Sequence, residues 1–243
     1  MMLHLSRLRL SRSPSTRSLR ALIDPPEGGA RLDAHHRLIW TAFADGPDRH
    51  RDFLWRDDGE GRFITLSSRP PAPSDLFELP EIKPFAPDLR GGDRLAFVLR
   101  ANAVRSLTDE GNGRSPSGRV RTKHRDVVMD LLHGVPGTEA IPEGARGQRA
   151  DRRLELAGRA AETWLDRQGG RSGFAPRSVA VEHYDAVTLP THRGKRTGAP
   201  RLGILDLTGV IEVTDPVAFL AALASGFGRA KAFGCGLMLI RRA

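Results

Sequence analysis

The chain has one cysteine, one tyrosine and four lysines among its 243 residues, and each scarcity closes off a class of protein. A single thiol, Cys235, forbids an internal disulfide and any cysteine-rich zinc site, and it fits a reducing compartment. Apolar runs are short, and none approaches the length needed to cross a bilayer, so a cytoplasmic chain with no membrane partner is expected. The Gly-Lys-Ser/Thr triplet of a phosphate loop, the GxSxG elbow of serine hydrolases and the HExxH pair of zinc proteases are all missing. Nothing in the sequence calls for a metal or an organic cofactor.

Arginine is what the chain has in excess: it supplies all but four of the 38 basic residues, and the net charge is +9. Such a surface attracts nucleic acid through long-range field and counterion release, and the guanidinium fork suits phosphates and guanine edges. Residues Ser6 to Arg20 are rich in Ser and Arg and hold no acid, as a transit peptide would. Leu3, Leu5, Leu8 and Leu10 instead read as a strand with a slip of phase.

After that strand come a polar connection and a helix from about Asp33, its expected N-cap, with Leu38, Ile39, Ala42 and Phe43 on the apolar face. Strands follow at Asp52 to Arg56 and Arg62 to Ser67, then a possible turn of helix and an extended segment, Leu79 to Phe85. The order recurs as strand Leu95 to Ala101, helix Arg152 to Arg167, strands Val179 to Leu189 and Leu202 to Val213, a helix opened by Asp215 and Pro216, and a last strand, Leu237 to Ile240. Two tandem ferredoxin-like (RRM-like, βαββαβ) domains of an α+β protein account for this order, with boundaries at 1–90 and 91–243. Residues 105–149 form a polar insertion in the second unit, with a short helix from His124 to His133.

Three stretches carry candidate chemistry. The run GFGRAKAFGCG holds Gly226, Gly228, Gly234 and Gly236 around Arg229 and Lys231. It fails the dinucleotide fingerprint, because Lys231 stands where a third glycine is needed and the run follows a helix rather than a strand. Two readings remain: a loop aiming backbone N–H groups and two cations at phosphates, or a tight helix-to-strand connection whose glycines permit close packing. The adjacent pair His35 and His36 lies at the apolar face of the first helix, and periodicity does not choose which is core. The segment HRGKRTGAPR joins two strands with Arg193, Lys195, Arg196 and Arg201 and no acid, a basic hairpin able to grip a helical phosphate backbone.

Together these pieces resemble the CasE family, the CRISPR repeat-processing endoribonuclease subunit of the subtype I-E Cascade complex. GFGRAKAFGCGLM is similar to that family's glycine-rich signature, and His36-Trp40-Phe43 as HxxxWxxF, RDFLWR at Arg51 to Arg56 and FVLRAN at Phe97 to Asn102 fall in the family's order. The resemblance spans nearly the whole chain. It implies an endoribonuclease that cuts the stem-loop of a CRISPR repeat in precursor RNA without a metal. A 2'-hydroxyl attacks the phosphate, His36 serves as general acid or base, and the protein stays on the mature guide RNA beside other Cascade subunits. Arg193, Lys195 and Arg196 match the family's groove-binding element by position, and Arg229 and Lys231 would line the phosphate path beside Gly226, Gly228, Gly234 and Gly236. Many relatives place a tyrosine three residues before the histidine where this chain has Asp33, so either that tyrosine is dispensable or Asp33, the lone tyrosine Tyr184 or a basic residue takes its part. A carboxylate at that spacing favours the protonated imidazole. A second expectation stays open, a non-catalytic subunit that only binds RNA hairpins.

Overall fold

A computed structural model describes residues 2–44, 46, 49–108, 122–133, 146–190 and 199–243. Leu3–Arg9 forms strand β1, and its register against the third strand runs unbroken from His4 opposite Ser67 to Arg9 opposite Arg62. The leucines therefore do not slip. Leu3 and Leu5 turn to one apolar cluster and Leu8 to another, because both faces of this sheet are covered.

The polar connection holds two short helices, α1 (Pro14–Ser18) and α2 (Arg20–Ile23). Ser13 accepts the Thr16 N–H ahead of Pro14, a start signal that the Ser-Pro pair carries in the sequence. Helix α3 (Gly28–Trp40) begins more than a turn before Asp33, and its N-cap is Glu27. Asp33 is thus a helix-interior residue rather than a cap. The Gly-Gly start disguises the first turn, yet glycine is required there: a Cβ on Gly29 would lie 1.8 Å from the Thr188 carbonyl oxygen. All four expected face residues, Leu38, Ile39, Ala42 and Phe43, are buried.

Strands β2 (Phe53–Asp57), β3 (Arg62–Ser67) and β4 (Glu81–Phe85) complete an antiparallel sheet of order β2-β3-β1-β4. Where a turn of helix was expected before β4, Phe77 N–H donates to the Ser74 carbonyl at 3.1 Å and Phe77 bridges Leu10. The second unit runs β5 (Arg94–Ala101), a hairpin of β6 (Val104–Thr108) and β7 (Thr122–Asp126), α4 (Val127–His133), α5 (Arg146–Ser172), β8 (Phe174–Thr188), β9 (Arg201–Val213), α6 (Pro216–Ser225) and β10 (Met238–Arg242). Its sheet order, β10-β5-β9-β8, repeats that of the first: fourth, first, third, second. The fold is two ferredoxin-like units in tandem.

His124 to Asp126, expected in a helix, pair as strand β7, and the helix starts only at Val127. The Asp126 side chain decides the change by capping the Val128 and Met129 N–H groups. Helix α5 is longer at both ends than the expected Arg152 to Arg167. Helices α5 and α6 cover the second sheet, with Trp164, Leu165, Phe219 and Leu223 packed on Phe97, Leu99, Leu205 and Leu207. The two units meet through Leu54, Leu66 and Leu237. Among the described residues no helix is long and apolar enough to cross a membrane.

Candidate functional site

Helix α3 carries both histidines, and the fold gives them different surroundings. His35 is 2% exposed; its Nε2–H donates to Asp24 Oδ1 at 3.2 Å, and Nδ1 lies 3.5 Å from Asp57. Its ring stands edge-on to Phe63 at 4.8 Å. Burial lowers its pKa from the ordinary value of 6.5, against the opposing pull of Asp57 and Asp24. It is a core histidine with a structural hydrogen bond. His36 is half-buried, and its ring lies 5.5 Å from Phe233 and 6.5 Å from Trp40.

Phe233 belongs to the glycine run, so the two ends of the chain meet at His36. The run leaves α6 at Gly226 with φ 77° and ψ 158°, a positive-φ exit with extended ψ rather than a left-handed cap. It then makes a short 3-10 turn, Lys231–Phe233, between Ala230 and Gly234, both left-handed. Positive φ also holds at Gly228 and Gly236. At Gly234 an added Cβ would meet the Trp55 ring at 3.0 Å, and at Gly228 the Asn102 carbonyl oxygen at 2.8 Å. The Trp55 indole N–H donates to the Ala232 carbonyl at 3.2 Å, which pins the turn to β2. The N–H groups of Phe227, Arg229 and Gly236 donate to Gly236, Asn102 and Arg100 carbonyls. Close packing therefore accounts for these glycines; of the two cations of the run, Arg229 is exposed and Lys231 is half-buried.

Lys231 Nζ donates to the Ser225 carbonyl at 2.8 Å, and burial, then the Arg51 guanidinium, lower its pKa. Arg51 itself is lowered by burial. Two cations share this corner, and Arg51 is a site residue that sequence reasoning noticed only as part of RDFLWR. Arg229 is exposed and donates to His124 Nε2 at 3.1 Å, while His124 Nδ1 lies 3.0 Å from Ser106 Oγ. That link from the loop to β7 had no sequence signal.

Asp33 is 3% exposed and faces Arg37 Nη1 at 3.2 Å, one helical turn on. The Tyr184 hydroxyl donates to Asp126 Oδ1 at 3.1 Å, at the start of α4. Burial raises the Asp126 pKa against the Met129 and Val128 N–H groups and this hydroxyl. Arg193, Lys195 and Arg196 lie outside the described residues. Their hairpin is rooted at Leu189 and Pro200, joined by an N–H to carbonyl bond of 2.9 Å. Leu189 packs with Leu32 of α3, Ile204 of β9 and Cys235 of the glycine run, with Ala230 and Phe233 at the fringe. One small apolar cluster thus ties the histidine helix, the root of the basic hairpin and the glycine run.

A tandem ferredoxin-like protein whose terminal glycine loop seats a half-buried histidine is the class these features define. The chain belongs to the family described as CRISPR associated protein, whose model matches residues 3–242. It is 22% identical over 209 residues to the CRISPR system Cascade subunit CasE of Escherichia coli (strain K12), covering 84% of this chain and 88% of that one. Among solved structures it is similar to the CRISPR endoribonuclease Cse3 bound to a 19-nucleotide RNA, with a TM-score of 0.63, 22% identity, and 99% and 98% of the two chains covered. Thermus thermophilus Cse3, bound to an RNA representing a pre-cleavage complex, gives a TM-score of 0.61 at 21% identity over 99% of this chain and all of that one. The CasE resemblance read from the motifs is borne out, and these structures share the fold.

Proposed function

We propose that this chain binds the stem-loop of a CRISPR repeat in precursor RNA, cleaves it, and remains on the mature guide RNA as a subunit of Cascade. Family membership supports the reading, as do relatives described as a Cascade subunit and as an endoribonuclease bound to RNA. The observation that carries it is the cluster of Leu32, Leu189, Ile204 and Cys235, which joins the histidine helix, the hairpin root and the glycine run. The working division is residues 1–90 for the unit bearing His36 and 91–243 for the unit bearing the RNA-gripping segments.

In this reading the 2'-oxygen upstream of the scissile bond attacks phosphorus, and the bond to the 5'-oxygen breaks. The products carry a 2',3'-cyclic phosphate and a 5'-hydroxyl. His36 moves a proton, giving it to the leaving 5'-oxygen or taking it from the attacking hydroxyl. Packing edge-on to Trp40 and tilted against Phe233 restricts its ring, and Lys231 with Arg51 offers positive charge to the phosphate. Asp33 favours the protonated imidazole, and Arg229 with the hairpin Arg193, Lys195 and Arg196 holds the RNA backbone. Tyr184 stays in the reading only if its hydroxyl leaves Asp126.

The test is incubation with a repeat hairpin in EDTA. Specific cleavage that His36→Ala abolishes, with binding retained, is expected. The engagement of Asp33 by Arg37 and of Tyr184 by Asp126 favours a second reading, a binding subunit without catalysis. Tight binding with no cleavage by the unaltered protein would establish that one instead.

A further inference from the structure

A second basic surface lies apart from the histidine and the glycine run. The end of β1, helices α1 and α2 and the turn between β2 and β3 enclose a groove of about 530 Å³ lined by Arg9, Arg12, Arg17, Arg20 and Arg62 against one carboxylate, Glu60. Three of the five arginines have loose partners: Arg9 with Glu78 at 3.7 Å, Arg20 with the partly buried Asp24 at 3.5 Å and Arg62 with the exposed Glu60 at 3.3 Å. Such pairs hold their charges weakly and yield to a better anion. Among the described residues, Arg12 and Arg17 form no ion pair, and both are exposed. The Nε–H of Arg62 is buried with no acceptor.

The groove is built rather than incidental. Leu10 N–H donates to the Gly61 carbonyl at 2.8 Å, and Gly61 at φ +70° lets the turn close onto β1, since a Cβ there would lie 2.9 Å from the Leu10 side chain. Its walls are also tied to the histidine helix. Asp24, just after α2, lies 3.6 Å from Arg31 and accepts from His35, while Asp57, at the start of the β2–β3 turn, lies 3.5 Å from His35. Both walls thus converge on the residue next to His36.

We propose that this groove holds the phosphate backbone of the single-stranded RNA that continues from the repeat hairpin. The proposal rests on the RNA-processing reading above. Guanidinium forks from separate elements suit successive phosphates of a flexible strand, whereas an A-form duplex presents its phosphates across a wide rigid helix. Among the described residues no aromatic side chain lines the groove to stack a base, so the contact is to backbone and indifferent to sequence.

The test compares the hairpin alone with hairpins extended by about eight unpaired nucleotides at the 5' or the 3' end, in native and scrambled sequence, as a function of salt. The unaltered protein is expected to bind one of the extended RNAs about tenfold more tightly than the bare hairpin, equally for both sequences. Arg12→Ala with Arg17→Ala removes that gain and reduces the salt slope by about 1.4 on the extended RNA, leaving binding and cleavage of the bare hairpin unchanged. Arg12→Lys with Arg17→Lys keeps the slope. The proposal is overturned, with the RNA-processing reading intact, if neither extension adds affinity, if the alanine pair weakens the bare hairpin equally, or if polyglutamate competes as well as single-stranded RNA of the same charge. Should the unaltered protein not bind the hairpin at all, the reading beneath the proposal falls and takes the proposal with it.

Discussion

His35 and His36 are neighbours in sequence with different surroundings, one buried and the other half-buried. The folded chain binds a proton on His35 less readily than the unfolded chain, whose histidine titrates near 6.5. Acid therefore favours unfolding: stability holds above about pH 6.5 and declines as pH falls from there toward the lowered folded value. Thermal melts from pH 7.5 to 5 should show that decline, and His35→Gln should flatten it; an equal slope in the variant would place the effect elsewhere. Asp33→Asn tests the other histidine. If the Asp33 charge favours the imidazolium of His36 despite Arg37 at 3.2 Å, the basic limb of the single-turnover pH profile moves to lower pH in the variant. An unmoved profile rules Asp33 out.

The glycine loop is the element whose backbone matters most. Gly234 is left-handed, at φ 76°, and sits against the Trp55 ring, so Gly234→Ala is expected to cost about 1–3 kcal/mol. Because Phe233 precedes it, the variant should lose cleavage rate more than hairpin affinity; chemical denaturation and single-turnover kinetics separate the two. Equal losses would mean that the loop holds RNA rather than His36. The buried side of α3 was legible because Leu38 and Ile39 on the helix and Ala42 and Phe43 in the turn after it recur at helical spacing. The start of α3 was hidden because Gly29 serves a contact with Thr188, a tertiary demand that overrides local propensity. Likewise both histidines border the apolar stripe, and only Phe63, on a later strand, and Phe233, at the far end of the chain, distinguish them.

At the scale of the whole molecule, element order alone revealed the architecture. Each unit keeps the strand order that a β-α-β-β-α-β chain produces even though the first has lost its second helix. The covered second face of the first sheet was not legible, because Leu3 and Leu5 look the same whether they face solvent, a helix or another sheet. With a net charge of +9, hairpin binding should weaken steeply as salt rises, roughly tenfold per tenfold salt for each phosphate neutralised, while the cleavage rate at saturating protein stays nearly constant. A filter-binding series run beside single-turnover rates checks this; a parallel fall in both would mean that charge acts in the chemical step.

The seclusion of Cys235 also makes the chain a clock for its own opening. The sole thiol is fully buried in the cluster that joins the histidine helix to the hairpin root, and burial pushes its pKa up to about 12. An alkylating reagent can reach it only when that junction parts, so the labelling rate of the native protein measures how often the junction opens. If RNA clamps the same three elements, adding the hairpin should slow the clock, in a measurement that needs no engineered probe.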